Sequence, residues 1–231
     1  MLREWDDLPG FMKCPEVKKY YNILSERRVS LKLKRGFDLI FSLVLLIVCA
    51  APMLVIAICI KIDSQGSVFY RQERITTYGK KFKIHKFRTM IERADQMGPS
   101  ITVARDNRIT KIGAFLRRYR LDELPQLLDV FTGNMSFVGT RPEAVKYVKK
   151  YTPEMRATLL LPAGITSEAS IRYKDEASLL NGVSDVDQVY VEQILPEKMK
   201  YNLESIKEFR FIREIVTMVR TLLAMMGKKY I

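Results

Sequence analysis

The sequence predicts a mainly helical α/β fold, in which a re-entrant membrane helix–break–helix joins a small cytoplasmic domain with a short β-hairpin and interfacial amphipathic helices. Three observations predict it. Leu39 to Ile60 is an almost uninterrupted apolar run, long enough at ~1.5 Å per residue to reach across a ~30 Å hydrocarbon core. Both flanks of the run are basic, with Lys32, Lys34 and Arg35 before it and Lys61, Arg71 and Arg74 after it. A single span keeps its cation-rich side in the cytoplasm, so cations on both sides favour a segment that enters and leaves by one face. Pro52 removes a backbone donor within the run and clashes with the preceding turn, which places the break at Ala51-Pro52. Charge and proline alone leave an ordinary kinked span open.

The chain divides into a polar N-terminal extension (1–31), the membrane element (32–62) and a remaining domain with membrane-surface helices (63–231). Residues 1–30 are mixed and polar, broken at Pro9-Gly10 and Cys14-Pro15, and predict short helical pieces with little core. Val68–Gln72 and Phe82–Arg88, joined through Thr77-Tyr78-Gly79-Lys80, alternate as a strand pair does. A helix over Ile91–Gln96 ends at Gly98-Pro99-Ser100, and another covers Ile112–Tyr119. Pro125 opens a helix to Phe131, Gly133-Asn134 turns the chain, and Ser136–Val138 is a short strand. Pro142 opens a helix to Lys150, and Pro153 opens one toward Leu161. Glu204–Met226 reads as one long amphipathic helix, basic on one side and apolar on the other. It suits the headgroup plane or a core contact equally.

The net charge of +13 and the pI near 9.6 call for a negatively charged partner, such as anionic lipid, a phosphorylated substrate or nucleic acid. The apolar run makes membrane lipid the first choice. Nucleic acid is not expected, because aromatic residues are not interleaved with the basic ones as a stacking platform requires. The run starts too late and is too long for a signal peptide. Cys14, Cys49 and Cys59 have no metal-ligand spacing and read as reduced thiols. His85 is the single histidine, which disfavours a His-ligated zinc site or a Ser-His-Asp triad. Acid–base or nucleophilic work therefore falls to carboxylates, helped by Arg, Lys or a hard cation.

Asp122 and Glu123 are the leading candidates. They sit behind Arg117, Arg118 and Arg120 and just before a Pro-initiated helix, where backbone N–H groups favour negative charge and arginines lower a carboxylate pKa. An ionised Asp there could attack an electrophilic phosphorus, and Glu123 could hold Mg²⁺, which needs few protein ligands beside a diphosphate. Ordinary dipole complementation explains the same two residues. Arg141, between Gly139 and Pro142, stands where a strand turns into a helix with free N–H donors, a phosphate pocket or a generic turn. Lys86 and Arg88 share one strand face and either clamp a diphosphate or rest on lipid phosphates.

Taken in order, Arg35-Gly36-Phe37-Asp38, the proline-centred run, Gly66–Gln72, Phe82–Met90, Leu121–Gln126 and Met135–Pro142 resemble the bacterial sugar transferases, the monotopic phosphoglycosyl transferases. The resemblance covers about Lys34 to Thr166. It implies transfer of a sugar-1-phosphate from a UDP-sugar to undecaprenyl phosphate with release of UMP, at the cytoplasmic face of the bacterial inner membrane. This would be the first membrane step of a surface glycoconjugate pathway. By the same resemblance Asp122 is a nucleophile forming a phosphosugar-aspartyl intermediate, with Glu123 beside it at Mg²⁺. Lys86, Arg117 and Arg141 occupy the family's basic positions near the phosphates, Asp187 precedes a Tyr-rich element, and the membrane element is re-entrant.

The chain departs from the pattern in two places. Ala51-Pro52 replaces the usual Ser-Pro at the membrane break. Ser167–Lys174 replaces a Gly-Trp-Ala-Gln-Val-Asn-Gly-Arg run, so that Lys174, with Arg172 nearby, stands where the family has its Arg. Residues 1–30 exceed the family core and would pack on the membrane or on a second subunit, making a homodimer. Two other functional readings stay open: a non-catalytic, membrane-anchored basic binding protein, and a glycosyltransferase that releases UDP.

Overall fold

The computed structural model describes residues 2–92, 94, 106–174, 176–179 and 185–225. Pro15 starts the first helix, α1 (Pro15–Ser25), where a missing N–H costs nothing. Val17, Tyr20, Tyr21 and Leu24 recur at helical spacing and are buried. With Leu8 and Met12 they pack against Tyr147, Tyr151, Leu160, Tyr190, Leu195 and Met199. Residues before 31 thus supply core, and the expectation of little core there is overturned. The polar residues that suggested an extension lie on the outer face of α1.

Helix α2 (Arg28–Asp63) holds the whole apolar run and passes through Pro52 without interruption. The expected helix–break–helix is therefore one continuous helix. Proline costs the bond its nitrogen would have made, and the hydrogen bonds on either side carry the helix on. Leu31, Lys34, Asp38 and Ser42 are buried toward one end and Ile60 at the other, while no residue from 43 to 59 is. Only 6% of the most apolar 18-residue window is buried, so α2 is not the core helix of a water-soluble fold. An apolar surface of this extent belongs in lipid.

Both ends of α2 are fastened to one body. At the first, Lys34 Nζ donates to the Val138 carbonyl at 2.7 Å and pairs with Glu214. Arg35 donates to the carbonyls of Val130 and Phe131, and Asp38 Oδ1 accepts from Phe137 N at 3.2 Å. At the second, Asp63 Oδ2 accepts from Ile112 N at 3.0 Å, and the Ser64 carbonyl accepts from Arg88 Nη2 at 2.7 Å.

Strands β1 (Phe69–Ile75) and β2 (Lys81–Phe87) form an antiparallel hairpin, Phe69 opposite Phe87 and Ile75 opposite Lys81. Phe82 and Ile84 face a second apolar cluster. Thr110 caps α3 (Lys111–Arg118), its hydroxyl accepting from Gly113 N at 3.0 Å. Helix α4 (Gln126–Thr132) ends on Gly133, whose φ of 83° is a left-handed cap. Strand β3 (Met135–Val138) is buried throughout and pairs in parallel with β4 (Ala163–Thr166), a partner the sequence analysis did not predict.

A parallel pair needs a crossover. Here it is α5 (Val145–Val148) and a 3₁₀ segment, Met155–Leu160. The helix expected from Pro142 begins only at Val145. The Glu143 carbonyl accepts from Ile75 N at 3.1 Å and the Pro142 carbonyl from Arg74, which holds this stretch against the hairpin edge. Helices α6 (Glu168–Arg172), α7 (Glu176–Leu179) and α8 (Val186–Val189), a π-helical turn Tyr190–Ile194, α9 (Leu195–Lys207) and α10 (Phe211–Met225) complete the described chain. The long helix expected over Glu204–Met226 is thus two helices. The break falls at buried Phe209, whose carbonyl accepts from Arg27. α10 leaves Ile212, Val216, Val219 and Leu222 exposed in a stripe. Gln96, Gly98-Pro99-Ser100 and Met226 lie outside the described residues.

Candidate active site

α3 ends at Arg118, and Arg120 adopts a left-handed conformation (φ 57°) uncommon for a residue with a Cβ. That turn redirects the chain into a single 3₁₀ turn, Leu121–Glu123, which carries the two carboxylates to the start of α4. β2 delivers Lys86 and the loop after β3 delivers Arg141 to the same place. Lys86 Nζ lies 2.9 Å and Arg141 Nη2 2.7 Å from Glu123 Oε1. Arg141 is positioned by a close crossing, in which a Cβ on Gly164 would sit 2.1 Å from Gly139 N. Only glycine fits there, and the backbone then turns at Thr140 toward the carboxylates.

The two adjacent carboxylates differ in state. Burial pushes Glu123 upward, yet the charges of Arg141 and Lys86 and their hydrogen bonds outweigh it and hold Glu123 well below the usual carboxylate range. Asp122 is pushed up, first by burial and then by the Glu123 charge, against the opposing pull of Lys86, Arg117 and Arg141. Desolvation thus outweighs the arginines expected to depress Asp122. Burial lowers the Lys86 pKa, while the Glu123 charge raises that of Arg141. Arg117 is lowered by burial, with Asp122 as its foremost opposing charge.

The other predicted site residues are dispersed. Arg88 is buried against Ser64 at the end of α2. Asp187 accepts from Tyr147 at 2.5 Å and from Lys146 at 2.5 Å, and its pKa is lowered by those two bonds. Neither of them contacts the carboxylate pair. The Lys174 carbonyl accepts from Arg120 at 3.4 Å, which ties the loop after α6 to the turn before Asp122. The Arg172 guanidinium lies 4.7 Å from the centroid of the Tyr201 ring. Ala51 and Pro52 are exposed within α2.

The sequence profile described as bacterial sugar transferase matches residues 29–228. The chain belongs to this family. It is 39% identical over 155 residues to a Bacillus subtilis (strain 168) protein provisionally named an undecaprenyl-phosphate N-acetylgalactosaminyl 1-phosphate transferase, covering 66% of this chain and 85% of that protein. It is 41% identical over 151 residues to an exopolysaccharide production protein of Rhizobium leguminosarum bv. phaseoli, covering 62% of this chain and 76% of that one. It is also 33% identical over 181 residues to an Escherichia coli (strain K12) UDP-glucose:undecaprenyl-phosphate glucose-1-phosphate transferase, covering 77% of this chain and 36% of that longer protein.

This sugar transferase also brings to the site residues that sequence reasoning missed. Arg74, on β1, donates to Gln72 Oε1 at 2.5 Å and to the Pro142 carbonyl, beside Arg141. Burial lowers its pKa, and no carboxylate lies within bonding distance of it among the described residues. Glu143 accepts from Tyr190 at 2.6 Å and stands 3.8 Å from buried Lys198. Asp129 grips His85 twice, accepting from its backbone N and contacting Nδ1, each at 2.8 Å. This fixes β2 against α4 one residue from Lys86. Gln126 is buried with its amide nitrogen unpartnered, three residues after Glu123. Alternation along β1 marked Arg74 only as one more basic flank residue. Its role shows when the crossover brings Pro142 against the hairpin.

Proposed function

We propose that this sugar transferase moves a sugar-1-phosphate from a UDP-sugar to undecaprenyl phosphate through a covalent intermediate on Asp122, releasing UMP. The observation that carries the reading is the division of labour between the two carboxylates. Glu123 is clamped by Lys86 and Arg141, while Asp122 has no hydrogen-bond partner among the described residues and is more basic than an ordinary aspartate. Glu123 is held in place, and Asp122 is the free nucleophile.

In the first displacement an Asp122 oxygen attacks the phosphorus that bears the sugar. The new Asp–O–P bond forms as the phosphoanhydride breaks, and the electron pair leaves with UMP. In the second, an oxygen of undecaprenyl phosphate attacks the same phosphorus. The Asp–O–P bond breaks, which regenerates Asp122 and leaves a lipid diphosphate sugar. Lys86 and Arg141, with Arg74 and Arg117 near, neutralise charge on the transferring phosphoryl group.

No group of three or more His, Cys, Asp or Glu side chains is arranged to hold a metal ion among the described residues. The donor set fits Mg²⁺ rather than zinc: Asp122 and the second oxygen of Glu123 are free, and a diphosphate would complete the ligands. Bound there, Mg²⁺ supplies charge stabilisation at the phosphoryl oxygens.

The attachment of α2 supports a reading of the membrane topology. Lys34, Arg35 and Asp38 near one end and Asp63 and Ser64 at the other bond the same body. Attachment of both ends to one body supports placing both basic flanks at the same, cytoplasmic, face of the inner membrane, without the break expected at Pro52. The two-sided basic flanks and the exposed stripe of α10 agree with that placement. The reaction would open the membrane stage of a bacterial surface glycoconjugate. A nucleotide-release assay with undecaprenyl phosphate and a panel of UDP-sugars tests it. UMP from at least one sugar supports the reading; UDP, or no nucleotide from any, contradicts it.

A further inference from the structure

A cleft of about 350 Å³ lies between α6, α9 and α10 and begins beside Gly139 and Thr140, just before Arg141. Its volume is that of a small-ligand site. Arg220 is bonded to Glu168 at 2.9 Å and Arg213 to Glu208, so the cations of α10 are already satisfied by carboxylates. What remains is a flat wall and an unmet amide. The wall is Tyr201 with Arg172 over its ring. The amide belongs to Asn202, which lines the cleft and is 5% exposed. Its oxygen has no partner, and its nitrogen reaches only the Met199 sulfur at 3.8 Å. A buried amide left this way costs stability, and that cost is offset when a ligand supplies the missing donor.

We propose that this cleft receives the nucleoside half of the nucleoside diphosphate sugar, with the Asn202 amide reading the edge of a pyrimidine base against the Arg172–Tyr201 wall. The inference rests on the donor class proposed above. Thr140, which lines the cleft, directly precedes Arg141, whose guanidinium bonds Glu123, so the cleft and the carboxylate pair meet at one loop. A uracil edge offers one N–H donor flanked by carbonyl acceptors, which an asparagine amide complements with its oxygen and its NH₂.

The test is calorimetric binding of UMP to the full chain in detergent, alongside donor kinetics. Asn202→Leu is expected to weaken UMP binding and raise the donor KM about tenfold, leaving kcat and the KM for undecaprenyl phosphate near wild type. Asn202→Asp keeps the side-chain shape but sets a second acceptor against a base carbonyl, and is expected to weaken UMP binding and raise the donor KM. UMP affinity and donor KM that are unchanged in both variants, with wild-type melting temperatures, would overturn the assignment. Should Asn202→Leu fail to fold, the UMP affinity and donor KM of Asn202→Asp decide alone. Wild-type protein that releases no UMP from any UDP-sugar overturns the functional reading instead, and the binding measurement remains independent of it.

Discussion

Arg141 Nη2 lies 2.7 Å from Glu123 Oε1, and that one oxygen also takes Lys86 Nζ at 2.9 Å. Two cations from separate elements thus converge on a carboxylate whose side chain is 10% exposed. Glu123→Gln would leave both cations partly buried without their counter-charge. It should cost about 2–4 kcal/mol, allowing for the solvent that still reaches Lys86 and Arg141, and lower the melting temperature accordingly. The folded pKa of Glu123 is depressed, so its contribution is present above the unfolded carboxylate value and is lost as the pH falls through the folded one. Thermal melts over an acid series should show that loss in the wild type and not in Glu123→Gln.

Asp122 carries the opposite shift. Its pKa is raised from about 3.8 by burial and by Glu123, so the acid limb of kcat/KM should lie above the ordinary aspartate value. Activity should fall as protonation removes the nucleophile on that limb. A profile flat down to the unperturbed value would mean that Asp122 is not the titrating nucleophile.

Arg74 is predicted to contribute to phosphate binding. Arg74→Gln keeps a donor toward Pro142 and removes a buried charge that the Glu143 carboxylate opposes without a direct ion pair. Turnover with a UDP-sugar should drop about 10–100-fold while the melting temperature changes little. An equal loss of stability and activity would make Arg74 structural.

The N-terminal helix should be needed for folding. Leu24 is fully buried in the main cluster, so Leu24→Ala is expected to cost about 2–5 kcal/mol. Denaturation measured against wild type checks this. A near-neutral result would return residues 1–31 to the status of an appendage.

Val29 and Ile62 are both exposed, near opposite ends of α2. Single cysteines at these positions, in a chain whose native cysteines are replaced by serine, should react with an impermeant thiol reagent from the same side of oriented vesicles. Labelling from opposite sides would make α2 an ordinary span.

Much of this architecture was legible in the residues. The apolar run, the hairpin and helices α3 and α4 each rest on local signals: hydropathy, period-two alternation, and the turn chemistry of Pro125 and Gly133. The order of the motifs pointed to the family. Features set by distant contacts were not legible. The parallel partner of β3 lies beyond a crossover and is short, so its four residues carry no strand period. The break at Phe209 depends on Arg27, far away in sequence. The helix after Pro142 starts late because of Ile75 and Arg74, which no local rule connects to it. Asp122 and Glu123 were visible as a pair, but their opposite shifts arise from burial and from which cations reach which oxygen. Arg74 looked like any basic flank residue until the fold set it beside Arg141.

The claim that bears most weight is the covalent use of Asp122. Incubating the protein with a UDP-sugar and Mg²⁺ in the absence of undecaprenyl phosphate, and then mapping adducts by peptide mass spectrometry, tests it directly. The predicted result is a sugar-phosphate adduct on the peptide holding Asp122, with one UMP released per adduct. Adding undecaprenyl phosphate should discharge it, and Asp122→Asn should form none. Full turnover by Asp122→Asn, or an adduct on another residue, would contradict the account.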